Sequence, residues 1–522
     1  MRRLNKVLAL ILAVVMLLAM SAVALAADGD FMGADGPETT ITATNVTAGD
    51  SVAYYQLVAY DASSTTGWVL TDLGESCGVT LANLIDGITA EEAATIANAL
   101  SSASATGNMA PKAEGSTTYE ATVAAGLYYL KATAAGDTVI YNPAFVSADY
   151  YEGGNTVDFS TAFESSTVLK KSEVTLTKEV TGEDKFKDTK PGDVIPYKIT
   201  TAIPSYSGTF EHPVFTISDS FSAGLTLSGN ITVTYGESST TATNDDVIIT
   251  PDTADGGGFT VAFTEEYLIG LEGATPAVTV EYSAEVTTAA EKNVNPLDNT
   301  ATLTYSNTPD STKDQEAITR HYTFTIDGDL LGGTGPSSEL IKVGVDKDGN
   351  PIEETKETIH GTEVSPLDGA MFLLTGEGLP AEGITAESKD GGHIIFKGLD
   401  AGTYTLVETE APAGYFKDIT EFTVEIVPTY DTEVPDLLVS YEVIVTSDTA
   451  TKTATFTMTN EGETLKSTGS SVESDAAFIQ NKQGTVLPST GGMGTQIFYI
   501  AGVVLLLGAG VVLVSRRKTD LD

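Results

Sequence analysis

The fold of this chain is decided by a short stretch near its middle, Val174-Thr175-Leu176-Thr177-Lys178-Glu179-Val180. Apolar and polar residues alternate along it, which is typical of a β-strand with one buried face. In that alternation Lys178 falls between Leu176 and Val180, in the middle of the apolar face. The stretch therefore predicts a strand that places a lysine where a hydrophobic residue is expected.

Further strands with the same alternation follow as far as about residue 322, separated by turns rich in Gly, Pro and Asp. This arrangement is typical of antiparallel β-sandwiches. Two of these strands also place a polar residue on the inward face: Asp219 within residues 215–221, and Asn299 within residues 299–305. One domain is thus predicted to bury a lysine, an aspartate and an asparagine, each on a different strand.

Two interpretations of these buried polar residues are open. The first is a salt bridge with a hydrogen-bonded amide, which gives little net stability because both charges lose their hydration. In the second, the same loss of hydration favours a neutral lysine and a neutral aspartic acid. The amine is then a nucleophile, and the acid can polarise the asparagine carbonyl and shuttle protons. The product is an amide bond between Lys178 and Asn299, formed once with release of ammonia.

The C-terminal end combines three features in a fixed order. They are Leu487-Pro488-Ser489-Thr490-Gly491, the uncharged apolar run 497–514 and the basic residues Arg516-Arg517-Lys518. The apolar run is just long enough to cross a bilayer as a helix, and the basic residues favour a cytoplasmic C-terminus. Residues 487–522 resemble the cell-wall sorting signals that are cleaved by sortase transpeptidases of Gram-positive bacteria. That resemblance implies cleavage between Thr490 and Gly491 and transfer of the Thr490 carbonyl to an amine.

The N-terminal end predicts export. Basic residues, an apolar run and Ala24-Leu25-Ala26 form a secretory signal peptide over residues 1–26, with cleavage after Ala26 or Ala27. The formal net charge of −45 excludes nucleic acid as a partner, because an anionic surface repels it. The chain is 41% hydrophobic and contains 21 tyrosines and 18 phenylalanines, which is enough to pack cores. With Cys77 as its one cysteine, it can form no internal disulfide.

Between the two ends the pattern predicts an all-β protein with three immunoglobulin-like β-sandwich domains in a row. The predicted divisions are a β-rich domain at 27–167, the middle domain at 168–322, a Gly/Pro/Ser linker at 323–338 and a third domain at 339–486. A helix is predicted at 89–100, with Thr89 as its N-cap. No metal or cofactor site is predicted, because the four histidines are scattered along the chain.

The middle region resembles the isopeptide-forming, Cna-A-like domain of Gram-positive major pilins. The resemblance rests on Leu176-Thr177-Lys178, Ile217-Ser218-Asp219 and Asn299-Thr300-Ala301. In that family these positions carry the reacting lysine, the catalytic acid and the reacting asparagine. The resemblance therefore implies that Asp219 assists formation of the Lys178–Asn299 bond.

The third region is similar to the Cna-B-type domains of the same pilins. Its run Tyr404-x-Leu406-x-Glu408-x-x-Ala411-Pro412-x-Gly414-Tyr415 matches the pilin E-box, which implies that Glu408 is the catalytic acid. The family places the lysine on the first strand, here Lys342. However, the apolar alternation of residues 341–345 puts Lys342 on the other face, so a bulge or the covering of both faces is required. The implied asparagine is Asn481, with Asn460 as the alternative.

Polymerisation requires an acceptor lysine in addition to the sorting signal. Major pilins commonly carry it in a Tyr-Pro-Lys motif between the first two domains, and that motif is absent here. Lys170 and Lys171 occupy this junction. If the alternation of residues 174–180 extends backwards, Lys171 faces outwards and Lys170 inwards. Lys171 is therefore the predicted linking lysine, and Lys170 is the alternative.

Together these features predict a structural pilus shaft subunit, not an enzyme with turnover. The resemblance implies several partners: a class C-type pilin sortase, a housekeeping sortase, other copies of the chain, peptidoglycan, minor pilins and a host surface. The predicted location is the Gram-positive cell wall, after transient membrane anchoring. The alternative function is a monomeric wall-anchored adhesin in which the same domains form a stalk.

Overall fold

The computed structural model describes most of the region between the two ends. It covers residues 38–484, except for 62, 137, 153–154, 158, 183–185, 207–209, 211, 293–295, 309–310, 327–339, 360, 462–463 and 471–476. The predicted signal peptide, the sorting signal and most of the predicted linker lie outside the described residues. Among the residues described, no helix is long and apolar enough to span a membrane.

The first part of the chain forms two larger sheets, the two-stranded pairs β10–β11 and β13–β8, and three short helices. Its elements are β1 (Glu38–Thr44), β2 (Ser51–Tyr60), β3 (Trp68–Leu70), α1 (Asp72–Ser76), α2 (Leu81–Ile85), α3 (Ala90–Ala99), β4 (Gly107–Asn108), β5 (Ala110–Pro111), β6 (Tyr119–Ala124), β7 (Gly126–Thr133), β8 (Val139–Tyr141), β9 (Ala144–Ala148), β10 (Tyr150–Glu152), β11 (Asn155–Val157), β12 (Ser166–Val168) and β13 (Lys171–Glu173). One sheet has the order β12-β1-β6-β5, and the other the order β3-β2-β7-β9 with β4 paired to β2.

The predicted helix is confirmed as α3, and its start has a clear physical cause. The Thr89 hydroxyl accepts a hydrogen bond from the Glu92 amide at 3.2 Å, and the Glu92 carboxylate accepts one from the Thr89 amide at 2.9 Å. This capping box satisfies amides that have no partner within the helix.

The middle part is a sandwich of two five-stranded antiparallel sheets. Its elements are β14 (Thr177–Val180), β15 (Val194–Ala202), β16 (Phe215–Phe221), β17 (Leu225–Tyr235), β18 (Ser238–Thr240), β19 (Val247–Asp252), β20 (Gly258–Phe263), α4 (Glu265–Gly270), β21 (Ala277–Val286), the 3-10 helix Thr288–Lys292, β22 (Leu297–Thr308) and β23 (Ser311–His321). The sheet orders are β14-β15-β21-β17-β18 and β19-β20-β16-β22-β23. Their inward residues form one continuous hydrophobic core, as the period-two pattern predicts.

The last part is built on a seven-stranded antiparallel sheet. Its elements are β24 (Phe324–Ile326), β25 (Leu340–Val345), the 3-10 helix Glu353–Thr355, β26 (Glu357–Ile359), β27 (Thr362–Val364), β28 (Met371–Gly376), β29 (Ile384–Glu387), β30 (Phe396–Leu399), β31 (Gly402–Glu410), β32 (Glu421–Tyr430), β33 (Leu438–Thr446), β34 (Thr451–Glu461), β35 (Thr464–Ser470) and β36 (Ala477–Lys482). The sheet order is β29-β28-β31-β32-β33-β34-β35. The parallel pair β25–β36 and the pair β24–β30 contribute residues to the same core.

The structure differs from the sequence prediction at two segments of this last part. Strand β24 lies inside the range predicted as a linker, yet Phe324 and Ile326 are fully buried in the C-terminal core. Strand β24 has only three residues, which is too short for the alternation of apolar and polar residues to be recognised in the sequence. The polar, Ser- and Gly-containing sequence of residues 462–474 predicts a loop or a mobile insertion, whereas residues 464–470 form β35 by pairing with β34.

Candidate functional site

Three polar residues predicted from the sequence meet in the core of the middle sandwich. Asp219 on β16 and Asn299 on β22 come from neighbouring strands, because Phe221 pairs with Asn299 and Asp219 lies two residues along on the same face. Lys178 comes from β14 at the edge of the opposite sheet. A bond from Lys178 to Asn299 would therefore tie the two sheets together.

The distances between these groups are those of direct contact. The Lys178 Nζ lies 2.5 Å from the Asp219 Oδ2 and 2.5 Å from the Asn299 Oδ1. The side chains of Lys178 and Asp219 have no exposed surface, and Asn299 is fully buried. The amine, the acid and the amide carbonyl are thus held together in a site without water-accessible surface.

Burial brings the pKa values of the amine and the acid towards each other. Loss of hydration lowers the pKa of Lys178 to about 8, although the charge of Asp219 opposes this shift. Burial likewise raises the pKa of Asp219 to about 6, opposed by the charge of Lys178. Both shifts favour the neutral forms that nucleophilic attack requires.

Two tyrosines and a histidine surround this site, and sequence reasoning did not single them out. The Lys178 Nζ lies 5.5 Å from the ring centroid of Tyr197 and 5.9 Å from that of Tyr282. The two rings stack on each other with centroids 5.2 Å apart, and the Tyr197 hydroxyl bonds the Nε2 of buried His321 at 2.7 Å. Both tyrosines fit the apolar alternation of their strands, so the pattern alone marks them as core. One available signal is that a buried tyrosine hydroxyl needs a polar partner.

A second triad lies in the last domain. The Lys342 Nζ on β25 lies 2.9 Å from the Glu408 Oε2 on β31 and also bonds the Asn481 Oδ1 on β36. The Asn481 Nδ2 in turn donates to the Glu408 Oε1 at 2.6 Å. Lys342 and Asn481 are fully buried, and the Glu408 side chain is 1% exposed. Burial lowers the pKa of Lys342, against the opposing effect of Glu408.

The position of Lys342 settles which of the two expected explanations applies to its strand. Every residue of β25 is buried, so both of its faces are covered. Ile341 and Val343 pack with Val364 in a small second core, while Lys342 faces the main one. The apolar residues of the alternation at 341–345 therefore face this small second core, and no bulge is needed to bring Lys342 to the main core.

Residues from both ends of the E-box contribute to the second triad. Tyr404, Leu406 and Glu408 share the buried face of β31. Beyond the strand, the Asp418 amide donates to the Glu408 Oε2 at 3.0 Å and fixes the carboxylate. The Tyr415 ring packs so closely on β25 that a Cβ at Gly344 would lie 2.9 Å from it. The side chain of Asn460 lies outside the described residues.

Comparisons with known proteins agree with this architecture. Residues 37–176 match a T6 antigen Ig-like domain, residues 341–435 a SpaA prealbumin-like fold domain and residues 479–520 an LPXTG cell wall anchor motif. The trypsin-resistant surface T6 protein of Streptococcus pyogenes serotype M6 is 26% identical over 543 aligned residues, which cover 91% of this chain and 94% of that protein. The predicted resemblance to Gram-positive major pilins is confirmed.

A solved structure supports the fold of this pilin. The T6 backbone pilin of serotype M6 Streptococcus pyogenes, described as a modular three-domain structure, superposes with a TM-score of 0.56 and 18% identity. The superposition covers 88% of the present chain and all of that one. The predicted all-β sandwich fold, the function as a pilus shaft subunit and the location as a cell-wall-anchored surface protein are confirmed. The pilin is thus a structural protein with a sortase-type anchor.

The junction lysines of the pilin differ from the sequence prediction. The alternation does not extend backwards from β14, because Lys171 belongs to the separate strand β13, which pairs with β8 of the first domain. Lys171 is half-buried, and its Nζ donates to the Thr47 hydroxyl at 2.9 Å, whereas Lys170 is exposed. The prediction that Lys171 faces outwards and Lys170 inwards is therefore wrong.

The sorting motif of the pilin, Leu487 to Gly491, lies outside the described residues, and so does the apolar run 497–514. The described chain ends at Gly484, shortly after Asn481 on the last strand. Among the described residues, no group of His, Cys, Asp and Glu side chains is arranged to hold a metal ion.

Proposed function

We propose that this pilin cross-links itself through two internal amide bonds, Lys178–Asn299 and Lys342–Asn481. Asp219 assists the first reaction and Glu408 the second. The observation that carries the proposal is the recurrence of one constellation in two unrelated strand settings, each with a buried amine in contact with both a carboxyl group and an asparagine carbonyl. A buried salt bridge alone requires no asparagine at the same position.

The chemistry proceeds from the neutral forms of the two groups. The Nζ of Lys178 attacks the Cγ of Asn299 while the protonated Asp219 donates a hydrogen bond to the carbonyl oxygen. The amine gives up one proton, the bond from Cγ to Nδ2 breaks, and the nitrogen leaves as ammonia. The same sequence applies to Lys342 and Asn481. Each acid ends the reaction in the protonation state in which it began.

The polymer itself is proposed to form through the sorting signal. A class C-type pilin sortase would cleave after Thr490 and transfer its carbonyl to a junction lysine of the next subunit, and a housekeeping sortase would attach the finished chain to peptidoglycan. Joining one end of each subunit to another part of the next makes an open filament. The exposure of Lys170 supports it over Lys171 as the acceptor.

Intact-mass spectrometry of the secreted region tests the internal bonds. The expected mass is that of the sequence less two ammonia molecules, and digestion should yield one branched peptide for each lysine–asparagine pair. Lys178→Ala and Lys342→Ala should each restore one ammonia to the mass. A wild-type mass equal to that of the unmodified sequence would refute the proposal.

A further inference from the structure

The two triads differ in how far their carboxyl group reaches. In the last domain Glu408 contacts both reacting partners, with one oxygen on the Lys342 Nζ and the other on the Asn481 Nδ2. In the middle domain the shorter Asp219 contacts the Lys178 Nζ with Oδ2, while its buried Oδ1 makes no close hydrogen bond to either reacting partner. The acid that must return a proton to the departing nitrogen therefore touches that nitrogen in one domain only.

In the middle domain a tyrosine occupies the position next to the departing nitrogen. The Asn299 Nδ2 donates to the Tyr282 hydroxyl at 3.0 Å. The orientation of this amide follows from chemistry, because the lysine ammonium only donates hydrogen bonds and so faces the carbonyl oxygen. In the last domain the Lys342 Nζ lies 5.5 Å from the ring centroid of Phe372, which has no hydroxyl.

The hydroxyl proton of the neighbouring Tyr197 is already used in a hydrogen bond to His321. The His321 Nδ1 bonds the Phe186 carbonyl oxygen, which can only accept, so Nδ1 carries the hydrogen. Burial lowers the pKa of His321 to about 4, so the ring is neutral and its Nε2 is an acceptor. Tyr197 must therefore donate its proton to Nε2. The hydroxyl of Tyr282 instead interacts with the Asp219 carboxyl, with which it can exchange a proton.

We propose that Tyr282 is a further catalytic residue of the middle domain and delivers the proton that lets ammonia leave Asn299. This inference rests on the proposed internal bonds and assigns to Tyr282 a step that Glu408 performs alone in the last domain. The contact of 3.0 Å reverses its direction during the reaction. The nitrogen of an amide does not accept a hydrogen bond, whereas the nitrogen of the tetrahedral intermediate is an amine and does.

The proton transfers of this step balance. As the Lys178 Nζ attacks, Asp219 gives its proton to the Asn299 carbonyl oxygen, and the resulting carboxylate takes one proton from Nζ. Tyr282 gives its hydroxyl proton to Nδ2, the bond from Cγ to Nδ2 breaks, and ammonia departs with its two original hydrogens and the new one. As the carbonyl re-forms, Asp219 takes up the proton of the carbonyl oxygen and returns one proton to the Tyr282 oxygen. Burial, reinforced by the charge of Asp219, raises the pKa of Tyr282 well above its ordinary value, so the hydroxyl holds its proton until that moment.

The test compares Tyr282→Phe with Tyr197→Phe in the complete secreted protein. Each substitution removes one buried hydroxyl and keeps the stacked ring. Tyr282→Phe should slow formation of the Lys178–Asn299 bond by about 100-fold or more, the lower end of what a positioned proton donor contributes. Time-resolved intact mass and peptide mapping after synthesis measure this rate. The Lys342–Asn481 bond of the same molecule is the internal control and should form fully.

Three outcomes would overturn the inference. The first is Tyr282→Phe protein that carries the middle bond as rapidly as wild type. The second is loss of that bond in Tyr197→Phe but not in Tyr282→Phe. The third is Tyr282→Phe protein that never forms the bond and melts below Asn299→Ala, which would indicate lost packing instead of a lost proton donor. Wild-type protein at its full sequence mass would instead refute the internal bonds themselves.

Discussion

Substitution of Asn299 by alanine isolates the energetic effect of the middle bond. The change removes the bond but leaves the Lys178–Asp219 ion pair intact, so no buried charge loses its partner. The bond would close a loop spanning 121 residues. For a cross-link closing a loop of that length, the chain-entropy relation gives about 5 kcal/mol at 25 °C.

This magnitude translates into a large shift of the melting temperature. In a domain of this size, a loss of about 5 kcal/mol lowers the Tm by roughly 10–20 °C. Asp219→Ala should be less stable still, by about 3 kcal/mol or more. It loses the same bond and also leaves the buried Lys178 ammonium group without its carboxylate partner. The difference between the two variants separates the contribution of the bond from that of the ion pair.

Differential scanning calorimetry of the secreted protein measures both effects, and the transition of the last domain serves as a reference that should not move. Reducing agent should change neither transition, since the cross-link is an amide. If Asn299→Ala lacks the middle bond by mass yet melts within about 2 °C of wild type, a difference far below that expected from loop closure, the entropic argument is refuted.

Three further results are expected. Glu408→Ala should lose only the Lys342–Asn481 bond, which spans 139 residues, and lower the Tm of the last domain while the middle bond still forms, as peptide mapping can check. In freshly synthesised protein the rate of middle-bond formation should be greatest between about pH 6 and pH 8, because Lys178 and Asp219 together hold one proton there. Below that window the pair holds two protons, and above it none, so a rate that rises steadily with pH would contradict this assignment. With a pilin sortase present, Lys170→Ala should abolish the ladder of covalent multimers and Lys171→Ala should retain it; the opposite result would show that exposure does not select the acceptor.

Strand periodicity predicted the middle site well because its strands each have one buried face. Lys178, Asp219 and Asn299 break an otherwise regular apolar alternation, and such a break is visible in a single sequence. At Lys342 the same reasoning gave the opposite face, since β25 is covered on both sides and neighbouring positions are equally buried. Periodicity cannot distinguish these two cases without knowing what packs against the strand.

The junction and the tyrosines show a second limit of the sequence. The inference about Lys171 assumed one continuous strand, whereas the chain changes sheets between Glu173 and Thr177. Which sheet a short strand joins depends on distant partners such as Tyr141. Tyr282 looks like any core aromatic in the alternation of β21, and only the three-dimensional position of its hydroxyl gives it a chemical role.

The place of Lys342 and Asn481 in the fold has a mechanical consequence. The two residues lie on adjacent parallel strands, one near the start of the last domain and the other at its C-terminal end. With an amide between them, tension along a pilus would pass directly from Lys342 to Asn481 through that bond, and the seven-stranded sheet would not be stretched. The bond would withhold 139 residues from extension, equivalent to about 450–500 Å of fully stretched chain. In the last domain, only the segments before Lys342 and after Asn481 would carry the tension through their own backbone, so each last domain would behave as a nearly inextensible link.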